Sequence, residues 1–217
     1  MEVDSTRQSA VTWAKKILIC TVSIMLLGIA SAFIIRAALG ADPISVFYDG
    51  LSRRIGFPVG WTANIVNITL AAIVFIIDRK YIHIGTVIYA VLLGRFIDLG
   101  VILYDLMHIP DNFMLKFLIA MLANLVAFIG LGGYISVNIG VDPWTAIALI
   151  VSKKMKKSFR MVRIATDVLT LGFGWLMSGT VGIVTVICAV IGGPAIQKSA
   201  EIIDKVLPKM IKSKQEE

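Results

Sequence analysis

The chain has 217 residues, 58% hydrophobic and 16% charged, with a mean hydropathy of +0.87 and a formal net charge of +7. Ordinary soluble domains carry roughly a quarter charged residues, and so few charges cannot cover this much apolar surface in water. A soluble globular domain does not fit; an all-α polytopic membrane protein does.

Six apolar runs stand out in chain order. The first, residues 17–35, follows Lys15 and Lys16 and passes through Ala30-Ser31-Ala32, a pattern similar to a secretory signal peptide. It outlasts the roughly 7–15 residues of a signal core, so a retained first crossing is expected. Gly40-Ala41-Asp42-Pro43 comes next and reads as a helix start, because Asp caps and Pro suits the first helical position. Runs at 60–77, 82–103 and 113–137 follow, and then a second start, Gly140-Val141-Asp142-Pro143. The last two runs, 161–177 and 181–196, are separated by a tight turn at Ser178-Gly179-Thr180. This predicts a cytoplasmic segment at 1–15, one transmembrane domain over 16–203 and a cytoplasmic tail at 204–217.

Lys and Arg gather on cytoplasmic loops. With the N-terminus inside, most of the 21 basic residues fall on inner segments: near 7–16, at Arg79-Lys80, over 153–163 and in the C-terminal region. The loop at 105–112 has two acids and no Lys or Arg, as an outer loop should. A multi-pass plasma-membrane protein with both termini cytoplasmic is expected. The basic stretch 153–160 reads chiefly as an orientation anchor, with anionic lipid head groups as its partner. Nucleic acid is not needed to explain the charge.

The two halves align. Gly40-Ala41-Asp42-Pro43 matches Gly140-Val141-Asp142-Pro143 at an offset of 100, and Thr86 to Val91 matches Thr185 to Val190 at 99. Gly94 then falls on Gly193, and Asn67 on Asp167. Three crossings per unit is odd, so the second unit enters from the opposite side. The predicted architecture is six transmembrane helices as two inverted three-helix repeats, about 16–103 and 113–203, each with a short Asp-Pro-initiated half-helix.

Those short segments cannot cross. Residues 142–151 would reach about 15 Å as a helix, half the hydrocarbon thickness. In the first, Ile44, Phe47, Tyr48 and Leu51 share one face, and Ser45, Asp49 and Ser52 the other. Re-entrant half-helices meeting a central site, or helices lying at the interface, both suit that length; the re-entrant arrangement is the expectation.

The run LGADPISVFYDGLSRRIGFPVGWTANIVNITLA, followed by IGTVIYAVLLGRFIDLG, resembles the YczE/YyaS/YitT family of bacterial integral membrane proteins, its YczE-like branch above all. The likeness covers about 16–203. It implies a polytopic bacterial plasma-membrane protein and brings no substrate with it. The second half departs from the Gly-Thr landmark, with Gly182-Ile183-Val184-Thr185.

Ionisable and polar residues inside membrane runs lean functional. Arg95 and Asp98 stand at i and i+3, either as a site facing a cavity or as a structural ion pair. Asn64 and Asn67 share a face with Trp61 and Ala71; Arg163 and Asp167 are an i,i+4 pair beside Thr166 and Thr170. With Asp42 and Asp142 these form the candidate substrate-binding set. Cys20 and Cys188 lack paired spacing, and no nucleophile elbow, phosphate loop or zinc signature occurs, so neither an enzyme nor a cofactor is expected. The leading expectation is a small secondary carrier or exporter of a polar solute; the alternative is a non-transporting accessory protein that stabilises a partner. The length suits a homodimer.

Overall fold

The computed structural model describes residues 2–206, with side chains from 11 onward. The expected polar tail beyond 206 lies outside the described residues. Eight α-helices account for nearly all of them: α1 (Glu2–Ala37), α2 (Pro43–Ile55), α3 (Val59–Ile77), α4 (Ile84–Leu106), α5 (Phe113–Val137), α6 (Pro143–Met155), α7 (Phe159–Leu176) and α8 (Ile183–Val206). A single 3₁₀ turn, Arg79–Tyr81, bridges α3 and α4. The α1 helix runs without a break from Glu2 through the stretch expected to precede the first crossing.

Helix ends follow the local chemistry. Asp42 and Asp142 have extended backbones and accept the N–H groups of Ser45 and Thr145, which caps α2 and α6, with Pro43 and Pro143 at the first position. The α2 helix stops at left-handed Gly56, whereas α6 stops at Lys156 in the same conformation. Asn112 caps α5 at its start and Asn138, at positive φ, ends it.

The long helices form a row in the order α3, α4, α1, α5, α8, each packed on the next. Small residues let them approach, as in membrane bundles: Gly28 and Gly100 sit at α1–α4, Gly130 at α1–α5 and Gly132 at α5–α8. A second group closes on itself, α2 against α7, α7 against α6, α6 against α3 and α3 against α2.

Among the described residues five helices are long and apolar enough to cross a membrane: α1 from Val11, α3, α4, α5 and α8. The expected fifth crossing, α7, is a helix of 18 residues, but it carries Arg160, Arg163 and Asp167 in its first half and lacks the apolar composition of the others. Arg163 and Asp167 are part-buried and pair with each other, whereas Arg160 is exposed.

Two clips tie the short helices to the long ones. The Gly85 N–H donates to Ile139 O (3.0 Å) and the Thr86 hydroxyl to Val141 O (2.8 Å), fastening the start of α6 to the start of α4. Correspondingly, the Val184 N–H donates to Leu39 O (3.1 Å) and the Ala41 N–H to Thr185 Oγ1 (3.1 Å), fastening the start of α2 to the start of α8. Gly40, at φ +98°, lies against Gly182 with no room for a side chain.

Candidate functional site

The starts of the two short helices meet. Tyr48 is fully buried, and its hydroxyl accepts hydrogen bonds from Trp144 Nε1 (2.9 Å) and Asn67 Nδ2 (2.9 Å). The Phe47 and Trp144 rings stack edge to face at 5.8 Å. The polar face of α2 proves to be a buried one: Ser45, Asp49 and Ser52 all lie inside. Asp49 accepts from Arg53 Nε (3.0 Å) and from both the backbone N–H (3.0 Å) and hydroxyl (3.1 Å) of Thr180, binding α2 to the turn between α7 and α8.

Beside this junction opens a cavity of about 890 Å³. Its polar lining comes from six helices: Ser31 of α1; Asp42, Ser45 and Tyr48 of α2; Tyr89 of α4; Asn124 of α5; Arg160, Arg163 and Asp167 of α7; Cys188 and Gln197 of α8. Arg163 pairs with Asp167 (Nε–Oδ1 3.2 Å) and donates to Thr145 Oγ1 (3.2 Å), linking α7 to the second short helix. The Cys188 thiol donates to Asn124 Oδ1 (2.9 Å) across α8 and α5. Pro194 interrupts α8 at the cavity wall. It removes the hydrogen bond that Val190 O would otherwise accept. The cavity therefore offers guanidinium donors, carboxylate and carbonyl acceptors and apolar walls, suited to holding a polar solute by several contacts at once. Among the described residues no group of three His, Cys, Asp or Glu side chains is placed to hold a metal ion.

The eight candidate residues do not share one site. Asp42, Arg163 and Asp167 line the cavity; Asp142 caps α6 outside its lining. Asn67 lies at the junction, 0% exposed, with Oδ1 unpartnered. Asn64 and Asp98 belong elsewhere, to the seam between α3 and α4. There Gly60 and Gly94 bring the backbones so close that a methyl on either would overlap the other's carbonyl. Asn64 Oδ1 accepts the Gly94 N–H (2.8 Å), and the Asp98 carboxylate accepts the Gly60 N–H (2.9 Å).

The two alternatives for Arg95 and Asp98 both give way to this arrangement. They form neither an ion pair nor a cavity site: Asp98 turns into the seam, while the Arg95 guanidinium lies over the exposed Trp61 ring, 4.1 Å from its centroid. Trp61 accordingly does not share the buried face of Asn64 and Asn67.

Tyr48, Asn124 and Cys188 lie outside the candidate set that the sequence marks. A lone Asn near the middle of an otherwise apolar crossing was the available signal for Asn124. Nothing local marked Tyr48, which owes its place to the meeting of two short helices.

Fold and cavity together define a polytopic helical membrane protein with a charged internal cavity. The chain belongs to the family of unknown function DUF6198, whose pattern matches residues 14–200. It is similar to the uncharacterized membrane protein YczE of Bacillus subtilis, 25% identical over 164 residues that cover 72% of this chain and 71% of the relative. It is also similar to the Bacillus subtilis protein YyaS, 26% identical over 85% of this chain and 92% of that one. A Haemophilus influenzae protein is 21% identical over 88% of this chain and 86% of its own length. These similarities agree with the family resemblance read from the Asp-Pro segment, and they indicate a membrane location. No solved structure matches.

Proposed function

We propose that this protein is a small secondary carrier or exporter of a polar solute, working by alternating access between two inverted three-helix units. The observation that carries this reading is the unequal treatment of two equivalent helix pairs. By the sequence offsets, α7 and α8 correspond to α3 and α4. The α3–α4 pair is sealed at Gly60 and Gly94. In contrast, α7 and α8 are joined by the turn at 177–182 and then part, with the cavity between them, and Gly193, the counterpart of Gly94, meets nothing within 4 Å. One pair closed and its counterpart open is the arrangement of one state of an alternating carrier. Exchange of the two would move the opening to the other face.

Other pairings support the inverted units. The α1–α4 contact is answered by α5–α8, α2–α7 by α3–α6, and the clip at Thr86 by the clip at Thr185. In this reading α2 and α6 are re-entrant half-helices, α7 is the sixth crossing, and both termini are cytoplasmic. The open mouth, by Arg160 and Gln197, then faces the cytoplasm beside the basic stretch.

The test compares metabolite-resolved uptake and efflux in cells carrying wild type, Asp167→Asn, Gly193→Leu and Arg95→Ala. Flux should fall about tenfold or more in Asp167→Asn, equivalent to one lost charge-assisted hydrogen bond, fall as well in Gly193→Leu, whose side chain would fill the gap beside α8, and persist in Arg95→Ala. If no solute flux depends on the protein, the carrier reading fails and an accessory role replaces it.

A further inference from the structure

A second hollow, of about 430 Å³, lies away from the central cavity, where the start of α1, the turn before α4 and the loop from α5 to α6 meet. Trp13, Lys80, Tyr81, His83 and residues 138–141 line it. Its charges are unbalanced. The Lys80 ammonium pairs with Asp78 (3.1 Å), and the Lys153 ammonium adjoins it. Beside that neighbouring cation Lys153 is held below the usual lysine range. Lys16, only 5% exposed, places its Nζ 5.6 Å from the Trp13 ring, and no carboxylate pairs with it among the described residues. Two ammonium groups share one carboxylate at the rim of the hollow, and the buried Lys16 stands beside its Trp13 wall; an anion would complete this arrangement, since crowded like charges repel.

We propose that this hollow binds a phosphate group, held by Lys80, Lys153 and His83 and flanked by the Trp13 ring. At a membrane surface the expected source is the phosphodiester of an anionic phospholipid; a free phosphate or phosphate monoester shares the chemistry. Trp and Tyr rings settle at head-group depth, and basic pockets between helices on the cytoplasmic side recognise anionic head groups. The hollow also has a structural reach. Its wall residues Ile139 and Val141 are the acceptors of the clip that fastens α6 to α4, so an occupied site braces the start of α6. This proposal does not depend on transport and stands or falls separately from it.

The full-length protein in neutral detergent would be titrated with phosphatidylglycerol and with phosphatidylcholine, following tryptophan fluorescence and thermal unfolding. Phosphatidylglycerol should shift both signals and phosphatidylcholine neither, and the fluorescence change should vanish in Trp13→Phe. Lys80→Gln/Lys153→Gln should weaken the phosphatidylglycerol response about tenfold, whereas Lys154→Gln/Lys157→Gln, on the adjoining exposed stretch, should not. His83→Gln serves as a milder second variant if the double variant fails to fold. Saturation by inorganic phosphate or glycerol 3-phosphate at the same concentrations as lipid supports the site and assigns its source to soluble phosphates. An unchanged lipid response in the hollow variants, or an equal loss in the Lys154/Lys157 variant, overturns the site in favour of diffuse surface attraction.

Discussion

Gly94 and Gly193 occupy equivalent sequence positions and opposite physical situations. At Gly94 a methyl group has no room, because the Gly60 carbonyl and the Asn64 side chain fill the space; at Gly193 nothing lies within 4 Å. Gly94→Ala should therefore destabilise by about 1–3 kcal/mol through overpacking of the seam. Gly193→Ala should be neutral or stabilising by up to about 1 kcal/mol, from reduced chain entropy. Thermal unfolding in detergent measures both; equal losses would mean that the two pairs are packed alike. The sequence showed both glycines and their equivalence but not their difference, because which backbone approaches each one is decided by neighbours far along the chain. Asp98 teaches the same lesson. Its spacing from Arg95 suits either a cavity site or an ion pair, yet the Gly60 N–H is its partner, and Trp61 captures the guanidinium.

The two short helices are the elements on which the site depends, and each hangs from one threonine. Thr86 and Thr185 are visible as matched residues in the internal alignment, but an alignment cannot say that each hydroxyl holds the Asp-Pro loop of the other half. Thr86→Val and Thr185→Val should each cost about 1 kcal/mol, the usual net value of one hydrogen bond. They lie on separate clips, so the double variant should be nearly additive. Unfolding measurements give the totals. Hydrogen exchange should show faster opening of α6 in the first variant and of α2 in the second, and loss of protection elsewhere instead would refute the clip assignment. The α2 helix adds a further lesson. Its alternation of apolar and polar residues was legible, but the polar face is buried because Asp49 and Ser52 find partners at Thr180 and Phe57.

For the whole molecule, the charge pattern predicts opposite sides for the α4–α5 loop and the α6–α7 loop. Single cysteines at Asn112 and Ser158 test this, with the native Cys20 and Cys188 both buried. A membrane-impermeant thiol reagent should label position 112 in intact cells and position 158 only after permeabilisation. Labelling of both from outside would sink the six-crossing topology. Composition alone determined that the chain is a helical membrane protein, because apolar surface in this proportion has no stable place in water. The Asp-Pro caps, being local chemistry, determined where two short helices start. The tertiary structure alone decided that these starts converge on Tyr48 and Trp144, that Arg163 and Asp167 face a cavity while Arg95 faces outward, and that one helix pair is sealed as its counterpart stands apart. Those outcomes depend on contacts between residues up to a hundred or more positions apart, and neither periodicity nor spacing records which distant surfaces come together.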